Sequence, residues 1–146
     1  MSKQSVLILC TGNSARSQMA EGLLRHMAGD RFDVASAGIK PSVVRPEAIQ
    51  AMKEIGISLE GHRSKSVDEF VGKPIDYVIT VCDAKESCPV FPAGTSRMHW
   101  AFQDPPGPQE GTEEERLAIF RMVRDQMKAR FESELESGVF ARVTST

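Results

Sequence analysis

The stretch Ser5-Val-Leu-Ile-Leu9, broken by Cys10-Thr11-Gly12-Asn13 and resumed from Ser14 with apolar residues at helical spacing, leaves this chain few ways to fold. A short apolar run without polar alternation reads as a strand buried on both faces, which is the environment of a central strand in a parallel sheet. Met19, Leu23, Leu24 and Met27 then fall on one helical stripe, and Gly29-Asp30 closes it. The order strand, tight polar loop, helix is the opening unit of an α/β fold.

The rest of the chain repeats that alternation. Phe32 to Ala37 is a second strand, followed by a loop through Gly38, Pro41 and Pro46 and by a helix marked by Ala48, Met52 and Ile55 that Gly56 stops. Ser66 to Val71 is a short helix, Pro74 to Val81 a third strand, and Arg97 to Trp100 a short fourth. Thr112 with Glu115 forms a capping box that opens a long amphipathic helix carrying Leu117, Phe120, Val123, Met127, Phe131 and Leu135, ended by Gly138. The pattern predicts a three-layer α/β/α sandwich around a small, four-stranded parallel sheet. Ligands in such sheets sit beyond the carboxyl ends of the strands, where Cys10, Cys82 and the loop from Trp100 to Pro106 are expected to converge. The segment from Val81 to Gly111 is rich in Pro and Gly and mainly loop, and a loop of that length usually serves function.

Composition narrows the function classes. At 146 residues a single domain, residues 1–146, is expected, and a two-domain enzyme is excluded. Lys and Arg number 18 against 20 Asp and Glu, a net charge of −2, which argues against a nucleic-acid partner. The longest apolar runs are too short to span a bilayer, so no membrane partner is expected, and the N-terminus carries no secretory signal, which points to the cytoplasm. Three cysteines, Cys10, Cys82 and Cys88, are too few and oddly numbered for a disulfide framework, but suit a thiol relay.

The chemistry concentrates in Cys10-Thr11-Gly12-Asn13-Ser14-Ala15-Arg16-Ser17. Backbone N–H groups of a tight loop and the start of a helix point inward at an anion, and the same field favours a thiolate at Cys10 near neutral pH. Arg16 adds a planar fork for two oxygens of a tetrahedral oxyanion. The Ser17 hydroxyl is placed to donate toward the sulfur, and Asn13 is suited to an unusual backbone conformation. Thr11, Gly12, Asn13, Ser14, Ala15, Arg16 and Ser17 are therefore the expected oxyanion cradle. The plain alternative is a buried structural cysteine with a surface arginine downstream. A Walker-type nucleotide loop is excluded because no Gly-Lys-Ser/Thr follows.

The segment from Leu9 to Glu21, L-C-T-G-N-S-A-R-S-Q-M-A-E, resembles the low-molecular-weight protein tyrosine phosphatase family in its arsenate reductase branch, of the thioredoxin-coupled type. The resemblance continues through S-A-G at Ser36, G-H-R-S-K at Gly61, T-V-C-D-A at Thr80, C-P at Cys88 and H-W-x-F-x-D-P at His99, so it covers nearly the whole chain. It implies that Cys10 is the nucleophile that attacks arsenate and that Asp104 is the general acid. It further implies that Cys82 attacks the Cys10–arsenic adduct, releasing arsenite, and that Cys88 then takes over the disulfide. An external thiol donor, thioredoxin or glutathione with glutaredoxin, would regenerate the thiols with no bound cofactor, in a monomer for which phosphate and sulfate compete with arsenate. A role in arsenic detoxification follows.

Two departures bear on this. The family's redox pair is usually spaced one residue wider than Cys82 and Cys88, and position 65 is Lys where thioredoxin-coupled relatives tend to carry an acidic residue that helps Asn13, Glu21 and Ser36 bind potassium. A lysine ammonium can replace that cation, so no metal is expected. The alternatives are a protein tyrosine phosphatase, with the same anion trap, and a non-catalytic oxyanion-binding redox sensor. His62 and His99 are read as structural, and Trp100, Phe102 and the Met and Phe residues of the last helix as core. Glu113 to Glu115 complement the helix dipole.

Overall fold

The computed structural model describes residues 4–10, 13, 15–38, 40, 42–70, 72–81, 96–100, 102 and 109–137. Four strands, β1 (Gln4–Cys10), β2 (Phe32–Gly38), β3 (Tyr77–Thr80) and β4 (Ser96–His99), form one sheet in the order β2-β1-β3-β4. Every neighbouring pair is parallel. Three helices, α1 (Arg16–Ala28), α2 (Pro46–Lys53) and α3 (Glu113–Ser137), and a 3-10 turn at Val67–Glu69 complete the described elements.

The side-chain alternation of β1 explains the layering. Val6 and Ile8 share one face with Val34, Tyr77 and Ile79, and against this face pack Met19 and Leu23 of α1, Met52 of α2, and Phe120, Val123, Met127 and Phe131 of α3. Leu7 and Leu9 turn to the opposite face with Ala37 and Val78, where Val67 of the 3-10 turn, Phe70 and Ile75 cover them. A parallel sheet buried on both faces needs apolar residues at both parities, which is why β1 reads as an unbroken apolar run.

Local signals set the helix boundaries. Thr112 and Glu115 cap α3 reciprocally: the Glu115 N–H donates to Thr112 Oγ1 at 3.1 Å and the Thr112 N–H to Glu115 Oε1 at 3.0 Å. Pro46, expected in the loop, is instead the first residue of α2, where its missing N–H costs nothing and its fixed φ suits the helix. That helix ends at Lys53, and Gly56 at φ 80° reverses the chain. Glu54, just beyond it, pairs with Arg121 and Arg124 of α3. The Arg121 hydrogen bonds hold its carboxyl at about 2. The helix expected over Ser66 to Val71 is the single 3-10 turn, whose Ser66 hydroxyl accepts from the Asp68 N–H. Met122 departs from the expected core of α3: it is 40% exposed, because it lies off the stripe of Phe120, Val123, Met127 and Phe131. Phe102 is half-buried at the core's edge. Gly138 and residues 142–146 lie outside the described residues. Among the described residues no helix is long and apolar enough to cross a membrane.

Strand order fixes where a ligand belongs. The chain moves from β1 to β2 on one side and then to β3 on the other, so the direction of winding reverses between β1 and β3. The crevice at the carboxyl ends of these two strands is the topological switch point, and Cys10 is the last residue of β1.

Candidate active site

Cys10 is buried, and two donors reach its sulfur. Ser17 Oγ lies 2.8 Å from Sγ and the Asn13 N–H donates to it at 3.2 Å. The direction of the Ser17 bond follows from its neighbours. Asn13 Nδ2 donates to Ser17 Oγ at 2.8 Å and to Ser36 Oγ at 2.9 Å, so the Ser17 oxygen serves as acceptor there and its own proton is available to the sulfur. Ser36 in turn donates to Glu21 Oε1 at 2.5 Å. Negative charge on Cys10 is thus met by two aligned donors.

Asn13 is fully buried and has φ of 48°, the only positive value at a non-glycine among the described residues. Asn tolerates this left-handed conformation better than most residues, and here its side chain is locked on both sides. Oδ1 accepts from the Lys65 backbone N–H at 2.7 Å and from Gln18 Nε2 at 3.0 Å. The segment bearing Lys65 is brought to the loop because the Gly38 N–H, at the end of β2, donates to the Lys65 carbonyl at 2.8 Å and Ser66 bridges to Gly38.

Arg16 opens α1 and is buried. Its Nη1 donates to the Phe102 carbonyl at 3.2 Å. Phe102 reaches this place because its N–H donates to Val81 O, just as the Trp100 N–H donates to Thr80 O, so the chain after β4 continues alongside the end of β3. The cradle's arginine is therefore tied to backbone two residues before Asp104. Ala15 at the helix cap offers no side-chain acceptor and the first turn of α1 holds no acidic residue, which leaves the positive end of the helix dipole facing the loop.

Charged side chains gather around Glu21, whose carboxylate accepts from Ser36. Arg25 Nη2 pairs with Glu21 Oε2 at 2.6 Å, and Lys65 Nζ lies 3.9 Å from Oε1. Burial pushes the Lys65 ammonium below its usual range, against the pull of Glu21. Both ring nitrogens of His62 are engaged: its Nδ1 meets Gln18 Oε1 at 3.0 Å and its Nε2 meets Arg25 Nη1 at 3.2 Å. Burial lowers the His62 pKa, Glu21 opposes this, and the Arg25 and Lys65 cations add to it. Among the described residues no cluster of His, Cys, Asp and Glu is arranged to hold a metal ion.

Of the expected site residues, Cys10, Asn13, Ala15, Arg16 and Ser17 are brought together here. Thr11, Gly12, Ser14, Cys82, Cys88 and Asp104 lie outside the described residues, as does the His99 side chain. Sequence reasoning missed Gln18. The available signal was a polar stripe of Gln18, Glu21 and Arg25 on α1, spaced three and four residues apart beside the apolar one.

Comparison with known proteins agrees with this geometry. The family model described as low molecular weight phosphotyrosine protein phosphatase matches residues 5–139. An arsenate reductase of Halalkalibacterium halodurans is 45% identical over 139 residues, 94% of this chain and 99% of that protein. A solved structure described as an arsenate reductase in the phosphate binding state superposes with a TM-score of 0.78 at 32% identity, covering 92% of this chain and 98% of the other. A thioredoxin-dependent arsenate reductase of Corynebacterium glutamicum gives a TM-score of 0.68 at 28% identity, over 92% of this chain and 63% of that one.

Proposed function

Because the chain belongs to the low molecular weight phosphotyrosine protein phosphatase family, we propose that it applies the family's anion trap to arsenate, reducing it to arsenite for arsenic detoxification. The observation that carries this reading is the Cys10 sulfur, held at the switch point between the Ser17 hydroxyl and the Asn13 N–H. Such a sulfur is a prepared nucleophile for an oxyanion. Arg16 turns its planar fork on the oxygens of the bound anion and steadies them as arsenic becomes five-coordinate. Backbone N–H groups from Thr11 to Ser17 complete the cradle, and phosphate and sulfate compete for it.

The reaction balances in three steps. Cys10 displaces an oxygen of arsenate, which leaves as water with a proton from Asp104, and a sulfur–arsenic(V) bond forms. Cys82 attacks the Cys10 sulfur. The sulfur–arsenic bond breaks with its electron pair on arsenic, giving arsenite and a Cys10–Cys82 disulfide. Cys88 then attacks Cys82, freeing Cys10, and an external dithiol reduces the Cys82–Cys88 disulfide. The similarity to a thioredoxin-dependent reductase supports thioredoxin as that donor, with glutaredoxin and glutathione as the competing system. The protein acts as a cytoplasmic monomer with no bound cofactor, the Lys65 ammonium serving the Glu21 carboxylate in place of a metal ion.

The test is arsenite production with thioredoxin and its reductase, or with glutathione and glutaredoxin, for the wild type and for Cys10→Ser, Cys82→Ser and Cys88→Ser. Turnover is expected to fail in all three variants, with a Cys10–Cys82 disulfide trapped in Cys88→Ser. Cleavage of p-nitrophenyl phosphate that needs only Cys10, with no arsenite from either donor, would overturn the reading in favour of a phosphatase.

A further inference from the structure

We infer that Gln18 is a positioning residue for the nucleophile, acting through Asn13. It is fully buried, and its terminal amide is surrounded on one side by acceptors alone. Nε2 lies 3.0 Å from the Asn13 carbonyl, 3.0 Å from Asn13 Oδ1 and 2.9 Å from the Arg63 carbonyl. Three acceptors and no donor require the NH2 end at that position, so Oε1 faces His62. The bond at His62 Nδ1 must then be an N–H donated to Gln18, which leaves His62 Nε2 as the acceptor for the Arg25 guanidinium.

The consequence runs inward to the sulfur. Gln18 binds Asn13 by its backbone oxygen and by its side-chain oxygen at once, so one group fixes both the left-handed backbone and the orientation of the Asn13 amide. The backbone setting aims the Asn13 N–H at Cys10, and the amide orientation keeps Nδ2 on Ser17, which commits the Ser17 proton to the same sulfur. Both donors at Cys10 therefore depend on the polarity of a side chain that touches neither the sulfur nor the cradle's anion. A residue that merely filled space between α1 and the segment at Arg63 would have no such dependence.

This inference rests on the reading of Cys10 as the nucleophile, and its test uses neither arsenate nor an electron donor, so the two can fail separately. In a Cys82→Ser, Cys88→Ser background, Cys10 is alkylated with iodoacetamide at several pH values on the rising, acid side of its rate profile, with and without sulfate as protecting anion. Gln18→Met and Gln18→Glu are compared after circular dichroism has confirmed that each folds. On that acid side, where the rate follows the thiolate fraction, loss of one charge-assisted donor corresponds to a roughly tenfold fall in alkylation rate. Gln18→Met is expected to show a fall of that order and to need more sulfate for protection. Gln18→Glu keeps the shape but sets an oxygen against three acceptors, and is expected to lose more than Gln18→Met. Arg63→Ala removes an exposed side chain paired with Glu69 and is expected to alkylate at the parental rate. Equal rates in all variants, or a smaller loss for Gln18→Glu than for Gln18→Met, would show that Gln18 acts by packing and overturn the inference.

Discussion

Replacing Asn13 with Ala removes the group on which the loop's geometry turns, and its cost can be worked from the contacts. Alanine at φ 48° takes on roughly 1 kcal/mol of left-handed strain that Asn largely avoids. Four side-chain hydrogen bonds disappear: those given to Ser17 and Ser36, and those received from Gln18 and from the Lys65 N–H. At a net 0.5–1.5 kcal/mol each they amount to about 2–6 kcal/mol, the upper end applying if the Lys65 N–H stays buried without a partner. The sum, about 3–7 kcal/mol, is a large share of the roughly 5–15 kcal/mol that holds a domain of this size folded. Urea denaturation followed by far-ultraviolet circular dichroism measures it, with Ser36→Ala as the comparison. Ser36→Ala removes only the bond from Asn13 and the bond to Glu21, and should cost less. A loss for Asn13→Ala below about 1 kcal/mol, the worth of one ordinary hydrogen bond, would refute the claim that this side chain carries the loop.

Other perturbations probe different parts of the structure. His62 has a lowered pKa in the folded protein, so between that value and 6.5 the unfolded chain binds more protons. Its contribution to stability is complete above 6.5 and is lost as pH falls through the depressed value. The groups facing it are Gln18, Arg25, Glu21 and Lys65. Thermal melts should show a drop just below 6.5 that is reduced in His62→Gln, and an unchanged profile would contradict the assignment. Phe131→Ala should cost about 3–5 kcal/mol. Its ring packs edge-on against Trp100 at 5.5 Å, and Trp100 is the only tryptophan, so the native fluorescence should change with it. Gly22 on α1 has Leu59 Cδ2 within 2.9 Å of where a Cβ would stand, with Ile57 and Met52 at 3.3 Å. Gly22→Val should therefore destabilise by about 1–3 kcal/mol in chemical denaturation, because three neighbours must give way.

What the sequence disclosed and what it withheld divide by range. The strand at Val6 to Leu9, the stripe on α1 and the Thr112–Glu115 box are written in residues a few positions apart, and each was legible. Asn13 and Ser17 were legible for the same reason, since the unusual φ and the hydroxyl near the sulfur are local to one loop. Gln18 was not, because its partners His62 and Arg63 lie 44 and 45 residues away and nothing in their spacing marks them as neighbours. The contact of Arg16 with the Phe102 carbonyl spans 86 residues and depends on how the chain leaves β4. Pro46 could have been read correctly, since proline at the first position of a helix is a local preference, but the run of loop residues before it outweighed that signal.

The central claim is that Cys10 begins a relay in which electrons for arsenic come from the protein's own thiols. A single-turnover reaction tests it most directly: fully reduced protein, arsenate in excess, no external donor, then arsenite assay and peptide mapping of disulfides. The account predicts one arsenite per chain and a Cys82–Cys88 disulfide with Cys10 returned to the thiol. Absence of arsenite with all three thiols still reduced, in protein that binds sulfate and cleaves p-nitrophenyl phosphate, would contradict it.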